Sequence, residues 1–208
     1  MPNFDIEKNF FGTVIGLDEV GRGPLAGPVV SCGCHFKNYN ELIEYKKYIN
    51  DSKKLSSKKK ILSFKFLQKL KNKKILEYKL GIATVEEIDT LNILEATKLS
   101  MKRAIDKFKI NNATLIIDGN FSLNHKKFKE KSIAKGDQLS LSIAAASIIA
   151  KVHRDRLMSF LSKKFYQFDW DKNAGYGTKK HIQEIIRIGP TNYHRKSFEP
   201  VRSLIHNK

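Results

Sequence analysis

Thr13-Val14-Ile15-Gly16-Leu17-Asp18-Glu19-Val20-Gly21-Arg22-Gly23-Pro24-Leu25-Ala26-Gly27-Pro28-Val29 is the stretch from which the fold of this chain is read. Residues 13–18 form a short apolar run ending at a carboxylate, which predicts a buried strand. The glycine- and proline-rich segment 21–28 cannot continue that strand and predicts a turn, after which residues 29–36 read as a second strand. Cys32 and Cys34 stand two apart in it, so a strand puts both on one face, poorly placed to bond to each other. With no other cysteine in the chain, a four-cysteine zinc site is excluded, and the pair reads as two small core residues.

Working outward, residues 55–70 carry Leu55, Leu62, Phe66 and Leu70 at helical spacing with lysines between them, and residues 75–82 have strand character. Thr84 and Glu87 have the spacing of a capping box at the start of a short helix. Asn92 is placed to cap a longer one reaching Phe108. Residues 114–118 predict another buried strand that ends at an acid, Asp118, and residues 132–135 a last short strand. From Asp137 to about residue 163 a single long helix is expected, small and apolar at first and charged later. A helix near 178–188 follows, closed by Gly189-Pro190. Strands come early and alternate with helices, so the class is α/β with a mostly helical C-terminal portion, from about residue 165 to 208. At about 150 residues per domain, a chain of 208 residues reads as one domain.

The chain carries 39 Lys and Arg against 21 Asp and Glu, a formal charge of +18. The excess is concentrated in residues 37–80, net +10, and residues 119–208, net +11. Such a surface attracts polyanions, of which the nucleic-acid backbone is the commonest soluble one. A merely solvated lysine-rich surface is the plain alternative, and charge alone does not separate the two. No run approaches the roughly 18–20 apolar residues of a membrane span, and residues 1–11 lack the apolar core of a signal peptide. The expectation is a cytoplasmic protein with no membrane partner.

Asp18 and Glu19 follow the first strand and Asp118 closes another, and in an open α/β sheet the crevice beyond the carboxyl ends of the strands is the usual ligand site. Carboxylates gathered there repel one another unless cations neutralise them, and an all-oxygen set suits Mg²⁺ or Mn²⁺ rather than zinc. Since neighbouring strand residues point to opposite faces, Asp18 and Glu19 can share a site only if the strand ends there. A lone Asp at a strand end is more often a turn former, but two such ends plus Asp137 weaken that reading.

Residues 18–29 closely resemble the opening motif of the type 2 ribonucleases H, the ribonuclease HII family. The likeness continues, in order, through Asp51-Ser52-Lys53-Lys54-Leu55, Thr90-Leu91-Asn92-Ile93 and Ile117-Asp118-Gly119. It runs on through Lys135-Gly136-Asp137 with the helix Ser142–Arg156, then Gly175-Tyr176-Gly177-Thr178 and His194-Arg195-Lys196-Ser197-Phe198. The resemblance implies a ribonuclease H-like mixed sheet flanked by helices, and a single type 2 catalytic domain over residues 1–208. It implies four metal-binding catalytic acids at Asp18, Glu19, Asp118 and Asp137, with Mg²⁺ or Mn²⁺ as cofactor. Gly21, Arg22 and Gly23 match the loop that reads the 2′-hydroxyl beside the cleaved bond, and Tyr176 the residue that packs on the next sugar. Lys53, Ser147 and Lys151 are candidates for phosphate contacts. Lys53 reads alternatively as an exposed lysine and Ser147 as a packing residue, while Asp155 is expected to pair with Arg154, Arg156 or Lys151.

The implied activity is two-metal endonucleolytic cleavage of the RNA strand of RNA–DNA hybrids, and of ribonucleotide-containing duplex DNA on the 5′ side of a single ribonucleotide. The products would carry a 5′-phosphate and a 3′-hydroxyl, chemistry that belongs to ribonucleotide excision in DNA replication and repair. A transposase- or resolvase-like nuclease would leave the Gly-Arg-Gly loop and Tyr176 without a paired purpose. A basic RNA-binding protein would leave the four acids unexplained. The sister type, ribonuclease HIII, usually carries a further N-terminal domain, whereas about 11 residues precede the first strand here. The last residues show no Gln-plus-aromatic clamp-binding tail, so no sliding-clamp partner is expected, and the chain reads as a monomer.

Overall fold

The computed structural model describes residues 1–37, 49 and 57–206. Its elements are α1 (Asp5–Lys8), β1 (Thr13–Val20), β2 (Val29–Phe36), α2 (Ser57–Asn72), β3 (Leu76–Ala83), α3 (Val85–Leu91), α4 (Ile93–Ile105), β4 (Ala113–Asp118) and β5 (Lys129–Ile133). After these come α5 (Gly136–Leu139), α6 (Leu141–Lys164), a 3-10 turn (Tyr166–Phe168), α7 (Trp170–Asn173), α8 (Lys179–Ile188) and α9 (Val201–His206). The five strands form one sheet in the order β3-β2-β1-β4-β5. β2 is antiparallel to both of its neighbours, β3 and β1, whereas β1, β4 and β5 run parallel. This is the mixed sheet flanked by helices, with a helical C-terminal portion, that the sequence implied. The block at residues 51–55, including Lys53, and the expected start of the second helix at Leu55 lie outside the described residues.

The strand alternation sorts the core onto two faces. Ile15 and Leu17 pack with Met101 and Ile105 of α4 and with Leu115 and Ile117 of β4. Cys32, Cys34 and Phe36 face the other way, onto α6 and α2, through Ala144 to Ala146, Ile148, Ile149 and Leu67. Both cysteines are free and buried. Residues 141–150 of α6 are buried on every side, which explains their small side chains. Gly16 shows how close the layers come: a Cβ there would stand 2.5 Å from the Ser142 backbone. A third apolar cluster joins Leu25 and Ala26 of the loop to Met158, Phe168, Trp170, Ile185 and Val201, tying the C-terminal helices to the sheet end.

Several boundaries differ from the sequence reading, each for a local reason. The expected helix from Asp137 is broken at Ser140, whose backbone is extended (φ −104°, ψ 131°). The Ser140 hydroxyl accepts from the Ile143 N–H at 3.1 Å and donates to Glu7 Oε1 at 2.6 Å, so it ends α5 and caps α6. The last strand lies earlier than residues 132–135 because residues 129–133 are those that pair with β4. α4 stops at Ile105, three residues before Phe108. α3 begins as expected, with the reciprocal Thr84–Glu87 bonds at 2.9 and 3.2 Å. Among the described residues, no helix is long and apolar enough to cross a membrane.

Candidate active site

β1 and β4 are parallel neighbours in the register Leu17 opposite Ile117. Asp18 and Asp118, each the next residue, therefore stand side by side toward the same end of the sheet, on strands about 4.8 Å apart. β1 does not end at Asp18 as expected, because its pairing with β2 continues through Val20 opposite Val30. Strand alternation puts Asp18 on the α6 face with Cys32 and turns Glu19 the other way. The edge of β1 that faced β4 is open beyond Leu17, so side chains from both faces reach round it into one cleft. Asp18, Glu19 and Asp118 all line that cleft, together with Gly21, Arg22, Gly23, Ser147, Lys151, Tyr176 and Lys60; its volume is about 270 Å³.

Asp137 is not on the cleft wall. It is 1% exposed on the first turn of α5, beside Gly136, whose N–H donates to Asp118 Oδ1 at 2.7 Å. A single peptide thus couples the turn bearing Asp137 to the acid at the end of β4. Lys151 projects from α6 into the cleft and bonds Asp155 Oδ1 at 2.6 Å, the pairing expected for Asp155. Tyr176 is 48% exposed over the cleft, near Gly23. Lys60 was missed by sequence reasoning, since nothing distinguishes it from Lys58 and Lys59 beside it.

The electrostatics are those of anions gathered without enough compensation. Burial pushes the Asp18 carboxyl well above the ordinary carboxylate range, and Glu19 and Asp118 add to the rise; the Ser147 hydroxyl and the Glu19 N–H, 2.7 Å from Asp18 Oδ1, oppose it. Burial likewise raises Glu19 to about 7, countered by Arg22 at 3.5 Å and reinforced by Asp118. Among the described residues, none donates a hydrogen bond to the buried Glu19 Oε2. A donor set of desolvated, mutually repelling carboxylate oxygens, one of them lacking a donor, fits a hard divalent cation. The side chains are not drawn into a finished sphere: among the described residues, no three acidic, imidazole or thiol groups stand close enough to hold an ion as they are.

Two buried networks, neither visible in the sequence, support the cleft. Arg154, part of the family-like helix and one possible partner for Asp155, is fully buried and bonds backbone carbonyls instead. Arg195 does the same from the far end of the chain. Beside them, the Trp170 indole N–H donates to His181 Nε2 at 3.0 Å, and His181 Nδ1 lies 2.8 Å from the Tyr176 carbonyl. The Thr191 N–H donates to His194 Nδ1 at 2.9 Å, and the two histidine Nε2 atoms are 3.0 Å apart. Only one proton arrangement satisfies every contact: His181 neutral with its proton on Nδ1, and His194 neutral with its proton on Nε2.

The family model described as Ribonuclease HII matches residues 15–201 of the chain. The ribonuclease HII of Wolbachia pipientis subsp. Culex pipiens (strain wPip) is 47% identical over 203 residues, covering 98% of each chain. The structure of the PCNA:RNase HII complex from Archaeoglobus fulgidus superposes with a TM-score of 0.71 at 24% identity, over 90% of this chain and 96% of that one. Bst-RNase HIII in complex with Mn²⁺ gives a TM-score of 0.67 at 16% identity, over 94% of this chain and 70% of that one. At these identities the two structures speak to the fold.

Proposed function

The chain belongs to the ribonuclease HII family, a ribonuclease H hydrolase, and from that premise we propose what it cuts and with which residues. It cleaves the RNA strand of RNA–DNA hybrids and cuts duplex DNA on the 5′ side of a single embedded ribonucleotide, leaving a 5′-phosphate and a 3′-hydroxyl. It acts as a single catalytic domain, as a monomer, in cytoplasmic ribonucleotide excision during DNA replication and repair. The observation that carries this reading is the one cleft that gathers Asp18, Glu19 and Asp118 with Gly21, Arg22, Gly23, Lys151 and Tyr176.

Asp18, Glu19, Asp118 and the adjoining Asp137 would hold Mg²⁺ or Mn²⁺, which supplies activation of water and stabilises charge on the leaving oxygen in phosphodiester hydrolysis. The residues of the chain do the remaining work. Gly21, Arg22 and Gly23 bring backbone groups against the sugar, and a side chain at Gly21 would collide with Arg154 and Pro28 behind the loop. The ring of Tyr176, half-exposed over the cleft, packs on the sugar of the following nucleotide. Lys60 and Lys151 meet the phosphates, and Ser147 holds the Asp18 carboxylate in place. Lys53 remains a proposed phosphate contact on its sequence alone.

The test uses a labelled DNA duplex with one ribonucleotide, an all-DNA control and an RNA–DNA hybrid, each with Mg²⁺, with Mn²⁺ or with EDTA. Metal-dependent cutting 5′ of the lone ribonucleotide, with the control intact, is expected. Cutting of the hybrid alone would remove the roles given to Gly21, Arg22, Gly23 and Tyr176. Tight binding with no cutting of any duplex would leave only a nucleic-acid-binding protein.

A further inference from the structure

Arg154 and Arg195 are both fully buried, and among the described residues every hydrogen bond their side chains make goes to a backbone carbonyl. Arg195 donates to Gly27 O through Nε at 3.0 Å and through Nη2 at 2.8 Å, to Arg22 O through Nη1 at 2.8 Å, and to Gly21 O through Nη2. Arg154 donates to Pro28 O and Ala26 O, both at 3.0 Å, and to Ala174 O at 2.8 Å. Five carbonyls of the loop between β1 and β2 are thus turned toward two guanidiniums. Gly21 is shaped to this, with φ +101° and the Arg154 Nε where a Cβ would stand.

In a trans peptide the carbonyl and the N–H of the same unit point in opposite directions. Arg195 holds the carbonyls of Gly21 and Arg22, so the N–H groups of Arg22 and Gly23 must turn away from the buried guanidinium. Both residues line the cleft, and among the described residues neither N–H has an acceptor. Arg154 adds the second half of the arrangement. Its bond to Ala174 O, with the Leu25 and Ala26 N–H groups donating to Gly175 O at 2.8 and 3.2 Å, joins the loop to the turn that carries Tyr176.

We propose that Arg154 and Arg195 are the positioning residues for ribonucleotide selectivity, fixing the Arg22 and Gly23 N–H groups and Tyr176 as one rigid reader of the sugar. This rests on the proposed function above. Neither arginine touches the substrate; each acts through peptides that do. A lysine keeps the buried charge but offers one nitrogen in place of the planar fork, so it cannot hold two carbonyls in the same geometry.

The experiment measures equilibrium binding in EDTA, without turnover, of a short DNA duplex with one ribonucleotide and of its all-DNA counterpart. It compares the wild-type chain, Arg195→Lys and Arg154→Lys, each checked for folding by thermal unfolding. The wild type should prefer the ribonucleotide duplex, and either variant should lose about tenfold or more of that preference, the worth of one charge-assisted hydrogen bond. Affinity for the all-DNA duplex should stay within about twofold, since the charge remains. A folded Arg195→Lys that keeps the preference would overturn the inference, as would an equal loss on both duplexes, which marks a merely structural role. A wild type that neither prefers nor cuts the ribonucleotide duplex would instead sink the proposed function on which it rests.

Discussion

Asp18 and Asp118 place like charges at the ends of adjacent parallel strands, and Glu19 brings a third around the open edge of β1. Such a site costs the apo protein stability, because burial and mutual repulsion both work against ionisation. Asp118→Asn should therefore leave thermal stability unchanged or raised, while cleavage falls by at least about 10²–10³-fold with substrate binding retained. Near-normal turnover at saturating Mg²⁺ would refute the assignment. His194 makes a prediction of the opposite kind. Burial, with His181 beside it, pushes His194 from 6.5 down to about 3, so the fold binds it neutral. Its contribution is complete above about pH 6.5 and drains away as the pH falls toward about 3, by up to about 1.4 kcal/mol per pH unit. Glu19, raised to about 7, acts in the reverse sense over part of that range. The effect is accordingly read as the difference between wild type and His194→Gln in denaturant unfolding at about pH 7.5 and about pH 5. Wild type should lose its advantage at the lower pH; an advantage that holds constant would rule out the neutral histidine pair.

The junction between α5 and α6 shows how an element is aimed. Ser140 caps α6, and the buried carboxylate of Glu7, from α1, accepts both the Ser140 hydroxyl and the Ser142 N–H at 2.9 Å. An anion at a helix N-terminus meets the unsatisfied N–H groups and the positive end of the helix dipole. The same junction sets α5, with Asp137, against the start of the helix that carries Ser147 and Lys151. Ser140→Ala should cost about 1–2 kcal/mol in urea unfolding, as it removes the cap and one donor to Glu7. A change below about 0.5 kcal/mol would show that Glu7 holds the helix start alone. At the outer edge of the sheet, Arg103 donates to Ile82 O and Lys107 to Leu80 O, at 2.8 and 2.7 Å. These long cations cover carbonyls of β3 that would otherwise be open to a strand from another molecule. Arg103 also grips Glu87 of the α3 capping box with two bonds, so one side chain fastens the strand edge and two helices.

Across the whole molecule, a charge of +18 supplies attraction to any polyanion, whereas the proposed reading of a sugar rests on a few uncharged backbone groups beside the acids. The two contributions should separate with salt. Binding to duplex should weaken steeply, with a log–log slope steeper than about −3, because association releases cations from the phosphates and that release is less favourable as bulk salt rises. The preference for a ribonucleotide-containing duplex over all-DNA should change little over the same range. Titrating both duplexes from low to moderate salt checks this, and a preference that collapses together with affinity would place selectivity in the lysines.

What the sequence determined alone is whatever depends on neighbours close along the chain. Thr84 and Glu87 find each other across three residues, residues 29–36 alternate within one strand, and the acids stand at the ends of apolar runs, so these features were legible at once. Family likeness then named the acids, the glycine loop and Tyr176 as partners. The tertiary structure decided the rest. Arg154 and Arg195 reach carbonyls more than a hundred residues away, Glu7 caps a helix that begins at Leu141, and Lys60 enters the cleft from a run of similar lysines. Glu19 shares a cleft with Asp18 only because β4 stops where β1 continues. A hydrogen bond or a charge acts over a few ångströms of space, and only the folded backbone brings such distant residues within that range.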